Sequence, residues 1–230
     1  MNIIVTGASR GIGFETVKYF ARDNQHQIIA IARSKDGLIR LKAESNSNNI
    51  HICTFDFEAG DFYRDLLPFI LGKFVHVDIL INNAGFLINK PFELMDENDF
   101  DQIFNVNVKS IFTLTKMLLP YFSVNAHIVN IGSMGGVQGS KKFPGLSIYS
   151  ASKGAVAVLT ECLAEELNKK RICVNCLALG AAQTEMLAEA FPAFKAPLTA
   201  AKMAEFIADF SLNGHKWFNG KIVPVAVTTP

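Results

Sequence analysis

Thr6-Gly7-Ala8-Ser9-Arg10-Gly11-Ile12-Gly13 decides how this chain is read. Ahead of it, Ile3-Ile4-Val5 is a short β-branched run suited to a buried strand. Behind it, Phe14-Glu15-Thr16-Val17-Lys18-Tyr19-Phe20-Ala21 places its apolar residues at helical spacing. In a strand–turn–helix setting, Gly7 permits a tight reversal, Gly11 lets backbone approach a pyrophosphate, and Gly13 lets the helix pack close to the sheet. The new helix aims unpaired N–H groups and a positive dipole end at the same point. Ser9, Arg10 and Ile12 fill the turn and join the candidate contact set. The stretch reads as a dinucleotide cradle; the alternative is an ordinary glycine turn of an α/β protein.

Beyond the turn, strand and helix patterns alternate, which implies a parallel sheet covered on both faces. Strands are expected near 2–6, 27–32, 50–55, 77–81, 126–132, 172–177 and 221–225. Helices are expected near 12–23, 36–45, 59–73, 97–122, 149–169 and 199–212, with a long loop over roughly 179–198. No repeat, low-complexity tract or linker interrupts the 230 residues, so residues 1–230 read as a single domain. Half the residues are hydrophobic, and 22 basic residues nearly balance 21 acidic ones, which argues against nucleic-acid or membrane-surface binding. No apolar run approaches the length of about eighteen residues that a membrane span needs. Met1-Asn2 leads straight into the first strand and leaves no room for a signal peptide, so a cytoplasmic protein is expected. Cys173-Val174-Asn175-Cys176 has the outline of a metal pair. It sits in an apolar strand, where residues three apart face opposite ways, and a second ligand pair is missing. Buried free thiols and no metal are expected.

The second strand ends at Arg33, twenty residues after Gly13, where an NAD-binding chain of this layout carries an acid for the ribose 2′-hydroxyl. An arginine there suits a 2′-phosphate, which it grips bidentately, and Arg10 offers a second cation. That favours NADP over NAD; two solvated surface arginines are the alternative. The third strand ends at Asp56-Phe57, an acid positioned to meet the adenine amino group. Asn82-Asn83-Ala84-Gly85 then follows the fourth strand as a small-residue turn against which a cofactor can lie, though such residues also simply make turns.

Thr6-Gly7-x-x-x-Gly11-x-Gly13, Asn82-Asn83-Ala84-Gly85, Asn107, Ser133 and Tyr149-x-x-x-Lys153 occur in one order and spacing. With them the chain resembles the classical short-chain dehydrogenases/reductases over essentially its whole length. The resemblance implies a Rossmann-type, doubly wound parallel sheet of seven strands in the order 3-2-1-4-5-6-7. It also implies reversible hydride transfer between NADP(H) and a carbonyl or alcohol. Tyr149 and Lys153, four apart on a helix, lie within mutual reach. A phenol with an ordinary pKa of roughly 10 is a poor proton donor near neutrality. Lowering it by about three units takes about 4 kcal/mol, on the order of what a cation at about 4 Å supplies at an effective dielectric near 20. Tyr149 is therefore expected as acid/base and Lys153 as the group that holds the ribose and depresses the tyrosine pKa. The alternative is an exposed pair on an amphipathic helix. Ser133 fails the Gly-x-Ser-x-Gly pattern of a hydrolase elbow, because Ile131 occupies the first position, and better suits orienting a substrate carbonyl. Asn107 interrupts an apolar stripe, and the resemblance implies that it bends the helix and holds a water in a proton relay. Asn83, Ala84, Gly85, Gly180, Ala182 and Thr184 are the implied contacts on the nicotinamide side. The helix expected over 97–122 is apolar nearly all round, so it needs a second partner; the resemblance implies that it packs across a subunit interface, and a homodimer or homotetramer is expected.

Three features depart from the family pattern. Ser133 and Tyr149 stand sixteen residues apart, about three more than usual, with the excess in Gly139-Ser140-Lys141-Lys142-Phe143-Pro144-Gly145. The usual proline before Gly180 is Leu179, which loosens that loop. The chain ends in Val223-Pro224-Val225-Ala226-Val227-Thr228-Thr229-Pro230, without the customary glycine pair. Met186, Leu187, Phe191 and Phe194, with Phe86, Leu87, Phe143 and Leu146, would form an apolar substrate pocket or else merely close a core. The rival to an enzyme is a catalytically silent NADP(H)-binding regulatory or scaffold protein.

Overall fold

The computed structural model describes residues 1–227. Strands β1 (Asn2–Thr6), β2 (Gln27–Ala32), β3 (Ile50–Thr54), β4 (Val77–Asn82), β5 (Phe122–Ser133) and β6 (Cys173–Leu179) belong to one sheet. Two short strands follow, β7 (Ala182–Gln183) and β8 (Leu198–Thr199), which pair only with each other, and β9 (Ile222–Val225) closes the large sheet. The order is β3-β2-β1-β4-β5-β6-β9, every pair parallel, as expected apart from the numbering of the last strand. Thr228, Thr229 and Pro230, part of the atypical carboxyl end, lie outside the described residues.

The helices are α1 (Gly11–Ala21), α2 (Lys35–Ser45), α3 (Leu67–Leu71), α4 (Glu97–Phe104), α5 (Ser110–Leu118), α6 (Ser147–Leu167), α7 (Glu185–Ala190) and α8 (Ala200–Asn213). In β1, Ile3 and Val5 pack with Val17 and Phe20 of α1, Leu38 of α2 and Ile207 of α8. Ile4, between them, joins Leu114 of α5, Ala164 of α6 and Ile70 of α3 on the opposite face. A strand buried on both sides has no polar face to show, which is why β1 and β2 read as continuous apolar runs. Among the described residues, no helix is long and apolar enough to cross a membrane.

Three expectations need correction. The helix expected over 97–122 runs without a gap to Tyr121 but is not uniform: Asn105–Lys109 forms a π turn between α4 and α5, and a 3-10 turn at Leu119–Tyr121 precedes β5. The cause is Asn107, whose carboxamide is turned inward to bond other segments rather than the helix surface. The segment expected as a helix over 59–73 starts as a π turn at Phe62–Leu66, capped by the Asp61 carboxylate, before α3. The loop expected over 179–198 holds β7, α7 and β8, with the Thr184 hydroxyl accepting from Leu187 N to cap α7. All four cysteines are free thiols; Cys53 and Cys176 are buried, Cys173 is half-buried and Cys162 is exposed.

Behind the sheet, His127 of β5 is 1 % exposed and satisfied on both ring nitrogens. Its Nδ1 lies 2.9 Å from the Ser211 carbonyl, and the Asn175 amide lies 3.0 Å from its Nε2. A carbonyl can only accept, so Nδ1 carries the proton and Nε2 is left as acceptor for the amide. A second ring proton would face the Asn175 donor. Burial accordingly pushes the His127 pKa down from 6.5 to about 4. The unfolded chain then takes up a proton that the folded one refuses. Stability from this group is complete above pH 6.5 and is lost as pH falls from 6.5 to about 4, by about 3 kcal/mol. Urea titrations at pH 7.5, 5.5 and 4.5 should show that decline, and His127→Gln should flatten it.

Candidate active site

The cleft forms where β1, β4, β5 and β6 end, because their carboxyl ends deliver four loops to one edge of the sheet. The glycine turn after β1 has Gly7 at φ +68° and Gly11 at φ +59°, left-handed conformations that a side chain resists. Thr6 and Asn83 knit this turn to the one after β4. The Thr6 hydroxyl accepts from Asn83 N at 3.0 Å and Ala84 N at 2.9 Å. Asn83 Nδ2 donates back to the Thr6 and Gly7 carbonyls at 3.0 and 3.2 Å. A Cβ on Gly7 would stand 2.8 Å from the Ala84 Cα, and one on Gly13 would stand 2.4 Å from Asn83 Nδ2. Sequence reasoning gave Asn83 only a backbone role and quoted Thr6 in the motif without giving it one; the pair of polar residues at the two strand ends was the available signal.

The cleft, about 1400 Å³, is walled by Gly7, Ser9, Arg10, Gly11, Ile12, Arg33, Asp56, Phe57, Asn83, Ala84, Gly85, Ser133, Tyr149, Lys153, Gly180, Ala182 and Thr184. Two residues of the expected set lie behind the wall. Gly13 sits under the turn against Asn83. Asn107 is fully buried, its Oδ1 accepting from Phe86 N and its Nδ2 donating to Phe86 O and Ser152 Oγ. It thus fixes the loop from Ala84 to Phe86 against the first turns of α6, one layer from the cleft.

Arg33 and Arg10 both have acidic neighbours. Arg33 Nη1 is 4.0 Å from Asp56 Oδ2, while Arg10 Nη1 is 2.5 Å from Glu189 Oε1 on α7. The second pairing was invisible in the sequence, where the two residues are 179 positions apart. At the far end, Gly180 N donates to Val225 O at 2.9 Å, tying this loop to β9. A Cβ on Gly180 would meet that of Ala226 at 2.7 Å, which explains the glycine even where Leu179 replaces the usual proline.

Tyr149 lies in the first turns of α6, which begins at Ser147 rather than at the tyrosine. It shares the cleft wall with Ser133, whose Oγ accepts from Gly135 N at 3.2 Å. Lys153 is 5 % exposed, with Nζ donating to Ile131 O at 2.8 Å and standing 5.8 Å from the Tyr149 ring centre. Burial pushes the Lys153 pKa down to about 8. Burial also raises the Tyr149 pKa above its ordinary value, with the Ser133 side chain pulling the other way. Lys153, its ammonium turned to the Ile131 carbonyl, is not among the causes of that shift: desolvation of the phenolate sets the direction.

Met186, Leu187, Phe191, Phe194, Phe86, Leu87, Phe143 and Leu146 all line the same cleft beside Tyr149. Phe143 meets Phe191 edge to face at 6.4 Å, so the extra loop and the segment after α7 touch over it. That loop turns at Gly139 (φ +79°) and Gly145 (φ +83°), and Lys142 Nζ braces it on Val137 O at 2.7 Å.

The model of the family described as short chain dehydrogenase matches residues 1–194. A 3-oxoacyl-(acyl-carrier-protein) reductase of Thermotoga maritima is 34% identical over 187 residues, 80% of this chain and 74% of that protein. The structure of a 3-ketoacyl-(acyl-carrier-protein) reductase from Brucella melitensis complexed with NADH is 29% identical, with a TM-score of 0.84 over 97% of this chain and 96% of that one. A putative short chain dehydrogenase from Escherichia coli CFT073 complexed with NADPH is 27% identical, with a TM-score of 0.86 over 97% and 95%.

Gly13→Ala tests the packing under the turn. The added methyl should displace Asn83, lower stability by about 1–3 kcal/mol, and weaken binding of nicotinamide dinucleotides. Thermal unfolding and titration of nucleotide fluorescence read the two effects.

Proposed function

The chain belongs to the short-chain dehydrogenase family of oxidoreductases, and we propose that it transfers hydride between NADP(H) and the carbonyl or alcohol of a small apolar substrate. The observation that carries the reading is that Ser133, Tyr149 and Lys153 together wall a cleft that the glycine turn also lines. A dinucleotide suits the cleft because Gly7 and Gly11 present bare backbone there at positive φ. Gly7, Ser9, Gly11 and Ile12 would hold its pyrophosphate, Asp56 and Phe57 its adenine, and Arg33 with Arg10 a 2′-phosphate. Asn83, Ala84, Gly85, Gly180, Ala182 and Thr184 would flank its nicotinamide half. When bound, it supplies or accepts the hydride.

The chain's own groups manage the oxygen. Ser133 donates a hydrogen bond to the substrate carbonyl and holds it beside Tyr149. In reduction, Tyr149 passes its proton to that oxygen as hydride reaches carbon; in oxidation it takes the proton back. Its raised pKa keeps the phenol protonated until charge begins to form. Lys153 then matters most: its ammonium, 5.8 Å from the ring centre, favours the phenolate as it forms. Lys153 also holds the ribose hydroxyls. Asn107, buried behind Phe86, keeps the relay side of the site in register with α6.

The arginine at the end of β2 supports NADP over NAD. The apolar ring of Phe86, Phe143, Phe191 and Phe194 supports an apolar substrate. A 3-oxoacyl thioester is the sharpest candidate, on the likeness to the Thermotoga maritima reductase. Phe100, Phe112 and Val158 are exposed on α4, α5 and α6, which supports a homodimer or homotetramer built on those helices.

Oxidation of NADPH, followed at 340 nm against quinones, diketones, steroids and 3-oxoacyl thioesters, tests the assignment. Tyr149→Phe should lower kcat on any hit by a factor of about 10²–10⁴ with the cofactor still bound; unchanged turnover removes Tyr149 from the chemistry. Binding of NADPH with no turnover of any carbonyl would instead support the silent-binder reading. Arg33→Asp should shift the ratio of kcat/KM for NADPH over NADH toward NADH by at least about tenfold, since a charge-assisted bidentate contact becomes a like-charge one.

A further inference from the structure

Arg10 and Glu189 meet across the mouth of the cleft with two contacts, Nη1 to Oε1 at 2.5 Å and Nη2 to Oε2 at 3.4 Å. The guanidinium presents its forked edge to the carboxylate, as it would to a phosphate. Glu189 is the penultimate residue of α7, and the last, Ala190, accepts through its carbonyl from Asn89 Nδ2 at 2.7 Å. The lid helix is thus held from two sides, and the Arg10 side enlists a residue of the cofactor cradle. Arg10 shares the wall of the cleft with Arg33, Ser34, Gly37 and Arg40, the end where the 2′-position of the adenosine ribose would lie.

We infer that Glu189 competes with the 2′-phosphate of NADP(H) for Arg10 and so sets how strongly this protein prefers NADP(H) to NAD(H). The inference rests on the NADP reading above. A phosphate monoester carries more negative charge than a carboxylate and offers three acceptor oxygens, so it draws Arg10 away from Glu189. NAD(H), with a hydroxyl at that position, leaves the ion pair as it is. The cost of releasing Arg10 therefore falls on NADP(H) alone. Its size follows from the exposure of the pair, 47% and 62% of the two side chains. An ion pair that open to water is worth a factor of about five at most in an equilibrium constant. Asn89 retains its hold on Ala190 throughout, so the exchange is read in cofactor affinity.

The test is a double-mutant cycle on full-length protein. Dissociation constants for NADPH and NADH are measured by nicotinamide fluorescence for the unmodified protein, Glu189→Gln, Arg10→Gln and the double variant. Glu189→Gln should tighten NADPH two- to fivefold and leave NADH unchanged, and the gain should vanish when Arg10 is also replaced. No change, equal tightening of both cofactors, or a gain that survives loss of Arg10 overturns the inference. If Arg10→Gln lowers the preference for NADPH while Glu189→Gln has no effect, the competition fails and the NADP reading stands. If neither Arg10→Gln nor Arg33→Asp alters the preference, the NADP reading itself fails and the competition falls with it.

Discussion

A threonine hydroxyl and an asparagine carboxamide join the two strand ends on which the site is built. Thr6 accepts from Asn83 N and Ala84 N, and Asn83 Nδ2 returns to the Thr6 and Gly7 carbonyls. Each polar group of this half-buried junction finds its partner in the other turn, so neither turn can shift without breaking bonds to the other. The glycine turn keeps its left-handed residues, and the backbone of Ala84 and Gly85 stays at the wall of the cleft, because this junction holds both. Gly13 belongs to the same constraint, since its missing side chain is the space Asn83 occupies.

A second chain of buried amides extends the frame toward the reacting groups. Asn82 donates to Asn130 at 2.8 Å, and Asn130 donates to Thr160 of α6 at 2.9 Å. These bonds register β4, β5 and α6 against one another, so that Ser133 at the end of β5 and Tyr149 at the start of α6 arrive together. Lys153 is then buried between them with Ile131 as partner, at a cost visible in its lowered pKa. A lysine kept where its charge is disfavoured is a group poised to respond when negative charge forms nearby.

The lid side is built differently. Short elements, exposed ion pairs and aromatic edges hold α7 and the extra loop over the cleft, where the sheet side uses buried amides and apolar packing. Such contacts are individually weak, so this side can differ from relatives in length and composition without disturbing the sheet beneath it. The three additional residues before Tyr149 fall here, whereas the leucine before Gly180 ends β6 and packs in the core. Neither alters the strand order.

What the sequence determined by itself is what a few neighbouring residues dictate through backbone sterics and side-chain period. The glycine turn, the apolar strands of a doubly covered sheet, and the tyrosine and lysine one helical turn apart are all of this kind. The order of strands was legible too, because the motifs carrying the family resemblance come in one order. Only the tertiary structure decided the partners: Asn83 against Thr6, Asn107 behind Phe86, Arg10 on Glu189, and helix α7 within what reads as loop. It also decided the direction of the Tyr149 pKa, since burial of that hydroxyl depends on segments far away in the chain. The physical reason is common to these cases. A hydrogen bond, an ion pair or a desolvation penalty depends on which groups packing brings into contact, and no local pattern of residues records that.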